Sequence, residues 1–335
     1  MTFLGIDVGG TFTDAVLIDD GCVRTAKVPT AQNQEESVVE AAKAVGVNAS
    51  LSRFTHGTTV ATNALLERKG ARTAFVTTAG FEHLLHLRRQ ERPHLYRLCA
   101  EHPAPLVPLE RCHGMRERIG PEGVLVPLDL STLPELDDPE AIAVCLLFSF
   151  RDARHEQVVT RELRRRYADA HVVASHDAAP ELREYERAST TVADAYLGPV
   201  LGGYLHALAG ACVDANLPQP LVMRSSGGVV TTEEAAAHAA WALLSGPAGG
   251  VLGARLVALL AGIENTIAFD MGGTSTDVCA IVGGEARRET ERVVGGVPIR
   301  LPTLAIHTVG AGGGSVVWRD AGGALRAGPA EAKIP

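Results

Sequence analysis

The chain has 335 residues, 46% of them hydrophobic and 21% charged, enough apolar material for two ordinary domains and too much for a chain disordered by composition. A formal net charge of −8 argues against wholesale binding to nucleic acid. The cysteines (Cys22, Cys99, Cys112, Cys145, Cys212, Cys279) form no CxxC pair, which removes support for a thiolate zinc site or redox dithiol and fits reduced thiols in a cytoplasmic protein.

Taken in chain order, Phe3–Val8 reads as a strand, Gly9–Gly10 as a turn, and Asp14–Ile18 and Cys22–Val28 as further strands. The start, MTFLGIDVGG, has no basic stretch leading into a long apolar run, so no secretory leader is read. Gln34–Gly46 places Val38, Val39, Ala42 and Val45 at helical spacing. A strand at Arg53–His56 leads into a helix over Thr58–Lys69, closed by Gly70, and Thr73–Thr77 is again strand-like. From Glu91 to Pro139 recurrent prolines break the apolar runs, predicting a loop-rich insertion suited to lining a cleft. A buried strand at Ala143–Phe150 follows, too short for a bilayer, which needs about 20 residues. Then come a charged helix, His155–Tyr167, a strand at Val172–Ser175, and a loop from Pro180 into a long helix reaching Tyr204. A short strand at Leu221–Met223 and a packed helix within Val251–Ile263 complete the alternation of an α/β layered fold.

One internal repeat carries the functional argument. Residues 5–16 read GIDVGGTFTDAV and residues 268–279 read AFDMGGTSTDVC. A single DxGG motif is weak evidence, but two matching copies, each in a strand–turn–strand pattern, imply two related half-molecules. Gly9, Gly10, Gly272 and Gly273 let backbone N–H groups approach phosphate oxygens with no Cβ between. Thr11 and Thr13, with Thr274, Ser275 and Thr276, add hydroxyl donors. Asp7 and Asp270 end their strands just before the turns, where each can hold hydrated Mg2+ through water. Two such hairpins face to face could grip the β- and γ-phosphates of a nucleotide from both sides. Asp14 and Asp277 either share this role or order the hairpins. Gly312, Gly313 and Gly314, in VGAGGGS before a strand at Val316–Trp318, read alone as a flexible loop and beside the hairpins as an adenosine contact.

The order of DxGGT, DxGGT and GGG resembles the actin/sugar kinase/heat-shock-protein ATPase superfamily. THGTTVATNALLERKGARTAFVTTAGF (55–81), LREYERASTTVADAY (182–196), RSSGGV (224–229), LLSGPAGGVLGA (243–254), FDMGGTSTDV (269–278) and HTVGAGGGS (307–315) are similar to the hydantoinase A/5-oxoprolinase family over nearly the whole chain. The resemblance implies actin-like (ribonuclease H-like) duplicated domains with the insertion: an N-terminal domain over 1–180 and a second ATPase domain over 181–335 that stops short of the family's length. It further implies ATP-dependent opening of a cyclic amide (a hydantoin, 5-oxoproline or a related lactam) through phosphorylation of the carbonyl oxygen. The implied partner is a B-type hydantoinase subunit in an oligomer, with no nucleic acid or membrane. Relatives also include ATP-using subunits of ketone carboxylases. A small-molecule kinase and a non-catalytic nucleotide-binding module are the competing readings. Ala305 stands where the family pattern has an acidic residue.

On the substrate side, His56 in THGTT sits where a strand meets a helix, placed equally for a substrate contact or for a purely structural role. Arg89, with Arg88 and Arg92, offers a basic cluster for a carboxylate or phosphorylated intermediate, or else a solvated face. Spacing assigns no role to Glu184, Glu186 and Arg187. His94, His102 and His113 lack tight ligand spacing. Gly246–Gly250 reads as a hinge between the halves.

Overall fold

A computed structural model describes residues 1–328 except 48–50, 98, 274 and 321. Strands β1 (Thr2–Val8), β2 (Phe12–Asp19) and β3 (Cys22–Pro29) run as an antiparallel meander. Alternation drives it: Leu4, Ile6 and Val8 on β1 and Ala15 and Leu17 on β2 are buried on one face, while Asp7 and Asp14 point from the other. Helix α1 (Gln34–Ala44) covers the apolar face with Val38, Ala41 and Ala42. The chain then returns as β4 (Arg53–Thr58), parallel to β1, and continues into α2 (Val60–Leu66).

A second sheet follows, of β5 (Thr73–Thr78), β6 (Cys112–Met115), β7 (Ala141–Cys145) and β8 (His171–Ala174), all parallel in the order β8-β7-β5-β6. Helix α3 (Arg154–Arg166) joins β7 to β8. The strands β5 and β7 are buried along their whole length, as parallel strands covered on both faces must be. The Pro-rich stretch is therefore not only loop, because Cys112–Met115 completes the edge of this sheet. The strand expected to reach Phe150 stops at Cys145. There the Leu146 N–H is taken by the Glu156 carboxylate and its carbonyl by Arg187, so the ladder cannot continue.

Helix α4 (Glu184–Asp214) runs past Tyr204 and is buried on every side from Tyr185 to Gly198. It is long and apolar enough to cross a membrane, but its N-terminal half lies among the sheets. Strands β9 (Leu221–Met223) and β10 (Val229–Val230) return to the first sheet, giving the order β10-β9-β4-β1-β2-β3. That sheet thus draws strands from both sides of position 180. Helix α5 (Ser245–Leu260) leads to a third sheet of β11 (Thr266–Met271), β12 (Thr276–Val282), a short hairpin strand at Glu285–Ala286 and β13 (His307–Val309). Its core is Ala248 and Val251 of α5 against Ala268, Cys279 and Ile281. The architecture is mixed α/β.

Candidate functional site

The two repeats fold as two hairpins with one geometry. β1 and β2 pair so that Asp7 faces Asp14, and β11 and β12 pair so that Asp270 faces Asp277. Each turn is closed by the same bond, Gly9 N to Phe12 O at 3.0 Å and Gly272 N to Ser275 O at 2.9 Å. The second threonine of each motif is buried and fastens its hairpin from behind. Thr13 Oγ1 lies 3.0 Å from Thr30 Oγ1, and Thr276 Oγ1 donates to Ala311 O at 2.6 Å. These two hydroxyls bind the fold, whereas Thr11 is exposed at the tip. Thr274 lies outside the described residues. At Gly10 and Gly273 an added Cβ would meet nothing within 4 Å, so both tips look onto open space.

Asp7 and Asp270 line one cleft together with Asp14, Thr55, Gly57, Thr59, Ser245 and Gly246. The α5 N-terminus forms its floor. Ser245 Oγ donates to Thr58 O at 3.0 Å, tying that helix to the end of β4. Asp7 sits between two backbones: a Cβ on Gly57 would come within 2.4 Å of its Oδ1, and one on Gly246 within 3.1 Å. Although Asp7 opens onto the cleft, burial by the packed walls pushes its carboxyl above the ordinary value, and the charges of Asp14 and Asp270 push the same way. Asp14 is held by Lys27 at 2.9 Å and Asp277 accepts from Thr308 Oγ1 at 2.6 Å. Among the described residues neither Asp7 nor Asp270 has a basic partner within ion-pair distance, and Asp7 remains uncompensated. Two hard oxygen donors with unbalanced charge suit a divalent cation that keeps its water.

The glycines of the GGG turn have a structural duty. Gly313 N donates to Gly272 O at 2.9 Å and Gly314 N to Gly273 O at 2.8 Å, so the turn packs on the back of the second hairpin. A Cβ on Gly312 would lie 2.5 Å from Gly272 O.

The two substrate-side candidates are not in this cleft. His56 is paired in register with Ile6, so its side chain lies on the face opposite Asp7, fully buried. Its Nδ1 donates to Ile6 O at 3.2 Å, leaving Nε2 to accept from Tyr204 Oη at 2.9 Å, and burial lowers its pKa to about 4. The suggested substrate contact is corrected to a neutral core histidine. Arg89 is bound to the Glu186 carboxylate, Nε to Oε1 at 2.8 Å, with Glu184 at 3.7 Å. Its charge is balanced, and it fastens the insertion to the start of α4. Arg187 is buried, donating to Leu146 O at 2.7 Å and to Cys145 Sγ at 3.4 Å. Nor do the insertion histidines gather: no group of three metal-ligating side chains occurs among the described residues. Gly57 and Gly246 are the cleft residues that spacing did not single out for Asp7. The available signal was their place in THGTT and SGPAGG, where a glycine permits close approach.

Comparison with known proteins decides the family. The hydantoinase/oxoprolinase N-terminal region matches residues 3–167, and the hydantoinase/oxoprolinase domain matches residues 187–335. The chain belongs to the hydantoinase/oxoprolinase family. Among family members it is 33% identical to the caprolactamase subunit alpha of Pseudomonas jessenii, over 98% of this chain and 50% of the relative. It is 30% identical to 5-oxoprolinase of Saccharomyces cerevisiae, over 97% of this chain and 29% of the relative. The crystal structure of the ATP-dependent caprolactamase superposes with a TM-score of 0.86 at 31% identity, covering 98% of this chain and 50% of that one. A nucleotide-free acetone carboxylase structure superposes with a TM-score of 0.82 at 27% identity, covering 98% and 51%. The chain therefore spans about half the length of these family members or less. Ala305 donates its backbone N–H to Arg287 O at 2.8 Å.

Proposed function

We propose that this chain is the ATP-using part of an enzyme that opens a cyclic amide, a hydantoin, 5-oxoproline or a related lactam, in an oligomer with a B-type partner subunit. The observation that carries the proposal is the convergence of Asp7 and Asp270, equivalent residues of two matching hairpins, on one cleft. The first-sheet order β10-β9-β4-β1-β2-β3, in which the antiparallel meander β1–β3 adjoins the parallel strands β4 and β9, supports the reading of an actin-like half. A division into two ATPase halves belongs to the same reading, after β10 and not near residue 180 because the first sheet runs on to Val230, as does a cytoplasmic setting.

In this reading the hairpin tips, Gly9–Gly10 and Gly272–Gly273, cradle the β- and γ-phosphates of ATP with backbone N–H groups. Asp7 and Asp270 would hold hydrated Mg2+, which supplies charge neutralisation to the phosphates. The lactam carbonyl oxygen attacks the γ-phosphorus. An O–P bond forms, the bond to the bridging oxygen breaks, and ADP leaves with the electron pair. A poor electrophile becomes an activated imidate, water adds to its carbon, and the C–N bond breaks as the nitrogen takes a proton, which opens the ring and leaves an acyl phosphate. A second water hydrolyses this to carboxylate and inorganic phosphate. Ala305 removes one carboxylate from the expected set, so Asp7 and Asp270 carry the acidic chemistry.

The carboxylase relatives favour a second reading, phosphorylation of a ketone's enol oxygen ahead of carboxylation. Product analysis separates the readings. Chain, Mg-ATP, a lactam and a B-type subunit should yield ring-opened amino acid and phosphate in equal amounts. A stable phosphorylated product instead means a kinase. ATP consumption that needs bicarbonate and a ketone means a carboxylase, and nucleotide binding without turnover means a binding module.

A further inference from the structure

Among the described residues, every charged side chain lining the cleft is a carboxylate: Asp7, Asp14 and Asp270. A triphosphate keeps net negative charge even with Mg2+ bound, so such a cleft needs a cation that its lining does not supply. Strand register puts one beside it. Asp7 pairs with Asp14 across β1 and β2, and Asp14 pairs with Lys27 across β2 and β3, so the three side chains stand in one row on the cleft face. Lys27 Nζ lies 2.9 Å from both carboxylate oxygens of Asp14 and 5.2 Å from the centre of the Phe12 ring. Phe12 opens β2 just after the first hairpin tip, and its carbonyl closes the turn by accepting from Gly9 N. The ammonium is thus held at the foot of the tip, between it and Asp14. Both partners are half-exposed, and an ion pair open to water is weak and readily exchanged.

The second hairpin has no equivalent. Asp277 takes the place of Asp14, and Thr308 of β13, paired with it in register, donates a neutral hydroxyl at 2.6 Å. Arg292 donates to that hydroxyl from behind at 3.2 Å and lies 3.8 Å from Glu289. Neither Asp277 nor Arg292 lines the cleft. The two copies share their carboxylates and differ in one ammonium.

We propose that Lys27 is a catalytic residue of the phosphoryl transfer, exchanging the Asp14 carboxylate for an oxygen of the γ-phosphoryl group of bound ATP. A lysine ammonium is a compact charge on a flexible four-carbon stem, so one side chain can serve both partners in turn. The terminal phosphoryl group carries the most charge in ATP and the charge that moves during transfer, and a fixed cation stabilises it most there. The ammonium keeps its protons throughout. The inference rests on the reading of this cleft as a nucleotide site.

The test is calorimetric titration of Mg-ATP and of Mg-ADP into the full chain, Lys27→Met and Asp14→Asn. Methionine keeps the stem and removes the charge, at an exposed position where the melting temperature should stay unchanged. Lys27→Met should lose about tenfold in ATP affinity, the scale of one charge-assisted hydrogen bond, and little in ADP affinity. Asp14→Asn should bind ATP more tightly, because the ammonium no longer leaves a carboxylate to reach the phosphate. Equal losses for ATP and ADP in Lys27→Met, or no loss, would overturn the inference while leaving the nucleotide site in place. So would weaker ATP binding in Asp14→Asn, since Lys27 would then serve only to hold Asp14. An unsubstituted chain that binds neither nucleotide would overturn the nucleotide reading and this inference together.

Discussion

The first hairpin is built into a six-stranded sheet and the second stands at the rim of a smaller one. Both carry Asp-x-Gly-Gly-Thr in the same register and both aspartates open onto the cleft, but the backbone at Gly57 and Gly246 closes in on Asp7. The difference shows how a repeated motif divides between two duties. The first aspartate of each copy faces the cleft, while Thr13, Thr276 and the GGG turn hold the hairpins from behind. Electrostatic unbalance is concentrated in the first half.

Acid should strike the first half and spare the second. His56 is neutral in the fold, with a pKa near 4 against 6.5 when exposed, so the unfolded chain binds the extra proton between those values. Stability present above pH 6.5 should be lost as pH falls to 4, by on the order of 3 kcal/mol for this group. Thermal melts across that range measure it, and His56→Gln should flatten the slope. Equal slopes in both proteins would mean that other groups dominate.

A lesion confined to the second half is expected from Gly312→Ala, whose Cβ would meet backbone on both Gly272 and Gly273 within 2.8 Å. Overpacking of this kind destabilises by about 1–3 kcal/mol. Hydrogen exchange should rise in β11 and β12 and stay unchanged in β1 and β2. Uniform change across both sheets would break the separation of the halves.

The smallest effect is the most specific. Burial, chiefly, raises the pKa of Asp7, so the unfolded chain releases this proton at lower pH than the folded chain does. Stability contributed by the protonated carboxyl is full at low pH and lost as pH climbs above the ordinary value. Asp7→Asn should therefore raise the neutral-pH melting temperature of the nucleotide-free chain, with the gain vanishing in acid. A lower melting temperature at neutral pH would show that the carboxylate is compensated in the fold.

Much of this was legible in the sequence. Period-two alternation gave β1 and β2, and the duplicated motif gave two hairpins whose aspartates meet in one cleft. The remainder depends on tertiary partners. His56 is flanked by threonines and a glycine that suggest a site, yet strand register with Ile6 sends it into the core. Arg89 looks free until α4 brings Glu186 to it, nearly a hundred residues later in the chain. The Pro-rich stretch hides β6, because a four-residue edge strand has too little pattern to announce itself. Nothing local in GGG distinguishes a ligand contact from a buttress, since both need backbone approach without a Cβ.

The central claim, that two hairpins form one Mg-nucleotide clamp, is tested most directly by calorimetric titration of Mg-ATP into the chain and into Asp7→Ala and Asp270→Ala. The account predicts one binding event that requires Mg2+ and weakens at least tenfold in either variant, each with an unchanged circular dichroism spectrum. Binding that is equally tight without Mg2+, or unaltered by both substitutions, would contradict it.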